Sequence, residues 1–214
     1  MILKRMLSLL LVNCFLLSGC ASYKPNQQPM ATIEKCKCQQ TLTGLTVGVD
    51  PYYVPNRTQW LFDNDFKDHE LLAVNFVMSC PDGKEYSVKK STITVADNNG
   101  RVFKPVSGKV AGDMVGRGYG MTVLWFFVGG IVGLVPSAIH TASVNTAIEN
   151  DLIKAELPED AMIKSLTHGF VYYDMEPYGK QGAPKEMKAN LKLIDTATQE
   201  TLAYEIKFDP NANW

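Results

Sequence analysis

Residues 69–80 read HELLAVNFVMSC, and their alternation decides the fold class. Leu72, Val74, Phe76, Met78 and Cys80 share one face of an extended chain, with Leu71, Ala73, Asn75, Val77 and Ser79 on the other. A period of two over that length predicts a half-buried β-strand. Pro81-Asp82-Gly83 then supplies turn chemistry, proline presetting φ and glycine tolerating positive φ, so Lys84 to Val88 should pair back.

Working outward, Ser91 to Ala96 is rich in β-branched residues, and Asn98-Asn99-Gly100 is a hairpin signal that returns Arg101 to Val106 antiparallel. Gly169 to Asp174 is a short aromatic strand. Met187 to Ile194 and Thr201 to Phe208 flank a polar turn at Thr196 to Gln199, and Leu42 to Val49 and Gln59 to Phe62 are further candidate strands. Seven or more short strands at this spacing predict a mainly β chain, an antiparallel immunoglobulin-like β-sandwich over 39–214. The entry Thr167-His168-Gly169-Phe170-Val171-Tyr172-Tyr173 resembles a strand start in extracellular immunoglobulin-like domains of unknown function.

The sandwich is interrupted by an apolar, helical insertion at about 107–160. Between Arg117 and Glu149 no residue is formally charged, counting His140 as neutral, and Met121 to Val135 is apolar apart from Thr122. Gly112, Gly116 and Gly120, then Gly129 and Gly133, recur every fourth residue, so on a helix they form a stripe where two backbones approach closely. The segment partly resembles the glycine zippers of some envelope lipoproteins, although the step from Gly120 to Gly129 breaks the register. One membrane crossing would put the flanking strands on opposite sides, and two need roughly 40 apolar residues. A surface-lying or re-entrant hairpin, a helix packed on its own domain, or a self-association surface remain. Trp125, Phe126 and Phe127, with Gly129 and Gly133, are the candidate membrane or partner contacts. Ser137 could cap the next helix, Ala138 to Leu157, whose apolar stripe is Ile139, Ala142, Ala147, Ile148, Leu152 and Ile153 and which Pro158 stops.

The amino terminus reads MILKRMLSLLLVNCFLLSGC. Lys4 and Arg5 precede an apolar run, Met6 to Leu17, of signal-peptide length. Leu17-Ser18-Gly19-Cys20 resembles the lipobox of bacterial lipoproteins, an aliphatic residue and two small ones before a cysteine. That resemblance implies cleavage after residue 19 and lipidation of Cys20 with diacylglycerol and then an acyl chain such as palmitate. With Ala21 and Ser22 where an aspartate would favour inner-membrane retention, it implies an outer-membrane destination facing the periplasm. Residues 20–38 are expected to hold the lipidated cysteine and a flexible tether, since Ala21 to about Lys35 is polar and carries Pro25 and Pro29.

Once Cys14 leaves with the signal and Cys20 takes lipid, Cys36, Cys38 and Cys80 remain. An oxidising envelope favours a disulfide from Cys80 to Cys36 or Cys38. No metal or cofactor is expected: Cys36-x-Cys38 lacks the further ligands of a closed zinc site, and Asp63, Asp65 and Asp68 lack the glycine and glutamate of a calcium loop. His69, His140 and His168 are scattered, with no nucleophile elbow, zinc-protease helix or phosphate loop. With 21 basic against 22 acidic residues, a formal net charge of −1, no nucleic-acid footprint is present.

The expectation is therefore a membrane-anchored cell-envelope lipoprotein, a non-enzymatic binding or structural module. Its insertion would contact an envelope protein, a second copy or the membrane. The alternatives are an envelope-acting hydrolase and an accessory lipoprotein of a secretion or transport machine.

Overall fold

The computed structural model describes residues 23–26, 32–116 and 142–213. Among these residues ten strands build two sheets by direct succession: β1 (Cys38–Leu42), β2 (Leu45–Tyr52), β3 (Leu71–Ser79), β4 (Tyr86–Lys89), β5 (Thr94–Asp97), β6 (Val102–Phe103), β7 (Pro105–Val106), β8 (Asp160–Ile163), β9 (Leu166–Asp174) and β10 (Met187–Asp195). An eleventh, β11 (Thr201–Phe208), pairs with β10. Sheet A runs β1-β2-β3-β9-β7, sheet B runs β6-β5-β10-β4-β8 with β11 on the free side of β10, and every strand pairing is antiparallel. The chain is thus mainly β, with two facing antiparallel sheets.

The turns explain the register. Leu42 to Val49, expected as one strand, bends at Thr43 and Gly44, whose φ of 46° and 85° close a two-residue hairpin. Gly83 and Gly100 hold positive φ where the sequence predicts turns. Arg101 to Val106 returns antiparallel as expected but splits at Lys104: Phe103 pairs with Val95 in sheet B, whereas Pro105 pairs with Tyr173 in sheet A. One short run therefore ties both sheets together. Gln59–Phe62 is not a strand. Pro55 at the first helical turn starts α1 (Pro55–Phe62), and Asp63 in the left-handed region ends it.

Two cores result. The first fills the space between the sheets with Val47, Val74, Phe76, Ile93, Leu191 and Ile206 among others. The second lies on the outer face of sheet A, under α1, α2 (Gly108–Val115) and α3 (142–155). For this reason β3 is buried on both faces from Leu71 to Met78 rather than half-buried. The buried stripe of α3 is Val144, Ile148, Leu152 and Ala155; Ala142 and Ile153 of the predicted stripe are exposed, and Ile139 lies outside the described residues. α3 ends before Pro158, as the sequence predicts.

The helical layer is locked to sheet A where Leu157 crosses β9. The Leu157 amide donates to the Phe170 carbonyl at 2.8 Å. A Cβ on Gly169 would sit 2.7 Å from Leu157 Cα and 2.9 Å from its nitrogen, both backbone atoms that cannot rotate away. Gly169→Ala is therefore expected to lower the unfolding free energy by about 1–3 kcal/mol, read from urea titration. A loss below about 0.5 kcal/mol would show that the crossing yields freely.

Candidate functional site

The outer face of sheet A concentrates the features that ordinary core packing does not require. Along one edge of the helical layer, α2 and α3 run antiparallel on a seam of glycines. Cβ atoms on Gly108, Gly112 and Gly116 would lie 3.0 Å from Ile153 Cα, 2.8 Å from Glu149 Cα and 3.4 Å from the Asn145 side-chain Nδ2. The close backbone approach expected for a four-residue glycine spacing is real at Gly112, where α2 meets α3 of the same domain, and Gly108 makes another; Gly116 touches α3 only through the Asn145 side chain, at ordinary contact distance. Lys90 and Glu156, both largely buried, pair at the other end of α3 and bind it to the joint between β4 and β5.

An amino-terminal strap lies across this layer. Tyr23 packs against the second core, the Lys24 amide donates to Asp63 Oδ2 at 3.0 Å, and the Asn26 side-chain amide donates to the Trp60 carbonyl. Residues 23–26, expected as part of an unstructured tether, are thus seated on the domain. Next to Asp63, the Asn64 amide donates to the Val115 carbonyl at 2.9 Å, so the strap and the last turn of α2 meet at one corner. A cleft of about 360 Å³ opens between Pro25 and Asn26, Leu61 and Phe62, and the Lys154–Ala155 end of α3.

Beside α1 a polar cluster interrupts the apolar surface. Arg57 clamps Asp50 with two bonds of 2.8 and 3.0 Å, donates to the Pro51 carbonyl at 2.6 Å, and lies 4.0 Å over the Tyr52 ring. Burial alone would lower the Arg57 pKa, but the hydrogen bonds and charge of Asp50 outweigh it and raise it. Burial, with the Asp50 charge adding, pushes Tyr52 up to about 12. Asn75 stands opposite Asp50 across the β2–β3 pair.

The cysteines do not come together as expected. Cys36 packs on the outer face against Gly48, and Cys38 sits opposite Val49. Cys80 follows Ser79, which pairs with Thr46, so it lies three to four residues, roughly 10–13 Å, farther along the sheet. A disulfide tolerates Cα separations up to about 7 Å. The three therefore stand as thiols. Burial first, then the Asp50 charge, pushes the Cys36 thiol from its ordinary 9.0 up to about 12. Between those values the unfolded chain ionises while the folded one keeps its proton, so stability should fall as pH rises through that window. A lower urea midpoint at about pH 10 than at pH 8, shrinking in Cys36→Ala, would bear this out; an unchanged midpoint would refute it.

The remaining candidates separate. His168 pairs with Val77, about six residues or 20 Å along β3 from the Leu71 end, which His69 precedes in a turn, and His140 lies outside the described residues. Asp65 closes a turn by accepting from Lys67 and Asp68 amides, while Asp63 holds the strap. Among the described residues no group of three or more His, Cys, Asp or Glu side chains could hold a metal ion, and no helix is long and apolar enough to cross a membrane. Cys20, Trp125, Phe126, Phe127, Gly129 and Gly133 lie outside the described residues. The strap and the Asp50–Arg57 pair went unread in the sequence, because neither has a local pattern.

No known protein family's profile matches the chain, and no curated protein matches it. Among solved structures, the chain is similar to a DUF4426 family protein from Pseudomonas aeruginosa PAO1, with 11% identity, 81% of this chain and 95% of that one covered, and a TM-score of 0.34.

Proposed function

We propose that this chain is a cell-envelope lipoprotein of the outer membrane, lipidated on Cys20, and a non-enzymatic binding or structural module whose apolar insertion contacts the membrane, a partner or itself. One observation carries the reading beyond the lipobox. The strap leading from Cys20 and the end of α2 leading into the uncharged stretch meet at one corner, through Lys24–Asp63 and Asn64–Val115. Anchor and apolar segment therefore depart from the same side of the domain, as a module engaging one membrane or one membrane-borne partner would require. The immunoglobulin-like kinship belongs to the same proposal, supported by two facing antiparallel sheets and a chain that crosses between them at Lys104.

Cys20→Ala should abolish incorporation of labelled palmitate and move the protein from the membrane to the soluble fraction, by about tenfold or more, since stable anchoring needs its acyl chains. Persistent labelling, or a mature chain beginning elsewhere, would overturn the reading. Deleting 118–137 in the Cys20→Ala background should leave a cooperative melt but remove residual vesicle binding and self-assembly. Survival of both would reduce the insertion to packing.

A further inference from the structure

We infer that the helix-covered face of sheet A lies flat on the bilayer that holds the Cys20 acyl chains, rather than being held away from it by a tether. The inference rests on the lipoprotein reading above and adds the orientation of the domain and the surface that meets lipid.

The length of free chain decides it. A fifteen-residue tether from Ala21 to Lys35 could extend to roughly 50 Å, but the strap removes most of that length. Lys24 and Asn26 are bonded to Asp63 and Trp60, and Tyr23 is packed on the second core. Only Ala21 and Ser22 then separate the lipidated cysteine from Tyr23, three Cα steps that span about 11 Å at full extension. The headgroup layer of one leaflet is itself roughly 5–8 Å thick. Acyl chains in the hydrocarbon therefore force Tyr23, and the helical layer it rests on, to the membrane surface.

That layer offers suitable chemistry. Trp60 on α1 is 53% exposed although its carbonyl holds the strap, and Val110 on α2 and Ile153 on α3 are 44% and 43% exposed. An indole beside an acyl anchor is the residue most favoured at the headgroup level. Lys154, exposed at the cleft rim beside Asp151, is long enough to reach lipid phosphates. Sheet B, whose outer face mixes Lys188 and Lys192 with exposed Val102, Met162 and Ile194, lies a further sheet spacing of about 10 Å behind sheet A, so reach from the anchor rather than composition turns it away from the bilayer.

Hydroxyl-radical footprinting of the lipidated full-length protein in phosphatidylethanolamine–phosphatidylglycerol vesicles tests this, compared with a variant carrying twenty Gly/Ser residues inserted after Ser22. The spacer keeps the strap and lengthens the leash. Oxidation at Trp60, Val110 and Ile153 should be about threefold lower without the spacer, with Met162 on sheet B equal in both. Equal oxidation at Trp60, or protection at Met162 instead, overturns the orientation while leaving lipidation intact. Protection that survives detergent solubilisation means a second copy covers the face, which also overturns it. Mass spectrometry of the same sample reads the acyl groups directly; if Cys20 carries none, the lipoprotein reading fails and this inference with it.

Discussion

Replacing Phe170 with alanine is expected to cost about 3–5 kcal/mol and to loosen the helical layer from sheet A while both sheets stay paired. The ring sits at the centre of the second core, 2% exposed. Its centroid lies 5.2 Å from those of Tyr52 and Phe62, both edge-on, and 6.3 Å from Tyr172, which is stacked. Phe62 in turn stacks on Phe66 at 4.8 Å. Each such pair adds about 0.5–1.5 kcal/mol beyond burial, so truncation loses three contacts as well as opening a cavity. The backbone bond from Leu157 to residue 170 survives the change, and so should the β3–β9 ladder. Urea titration with near-ultraviolet circular dichroism would read both parts. A loss under about 1 kcal/mol would mean that the helical layer is held to sheet A by the Leu157 crossing rather than by this cluster.

Arg57→Ala is the second large effect, expected near 3 kcal/mol, at the low end for removing one partner of a buried pair. The side chains of Arg57 and Asp50 are only 12% and 17% exposed, so an aqueous shell cannot replace the lost guanidinium around Asp50. The change also strips a donor from the Pro51 carbonyl and a cation from the Tyr52 face. Because the damage comes from the charge left behind, Asp50→Asn combined with Arg57→Met should recover most of it. A double-mutant cycle measures this directly. If the double variant is as unstable as Arg57→Ala alone, the pair acts through packing and the electrostatic account is wrong.

Much of both sheets was legible because strand and turn signals are local. The strand over residues 71–79, the Asn-Gly turn at 99–100 and the polar turn between β10 and β11 all appear where period and turn residues place them, although the expected half-burial of the first does not. Three readings failed for non-local reasons. Gln59–Phe62 has β-like composition, but Pro55 and the floor offered by Phe170 make it a helix. The predicted stripe of α3 is rotated, since its buried side is set by Phe170 and Tyr172 on the outer face of sheet A. The cysteine pairing followed from compartment alone, and register keeps those residues apart.

By itself the sequence determined the antiparallel β class and the uncharged stretch, and it alone carries the proposal of lipidation at Cys20, because each depends on residues within a few positions of one another. The tertiary structure alone decided that sheet A carries a second core on its outer face. It also decided that Tyr23–Asn26 lies on that face, and that α2 ends at the corner where the strap begins. Those are contacts between residues about 40 to 50 positions apart. No local period encodes them; they form only when the burial of one surface makes the other available.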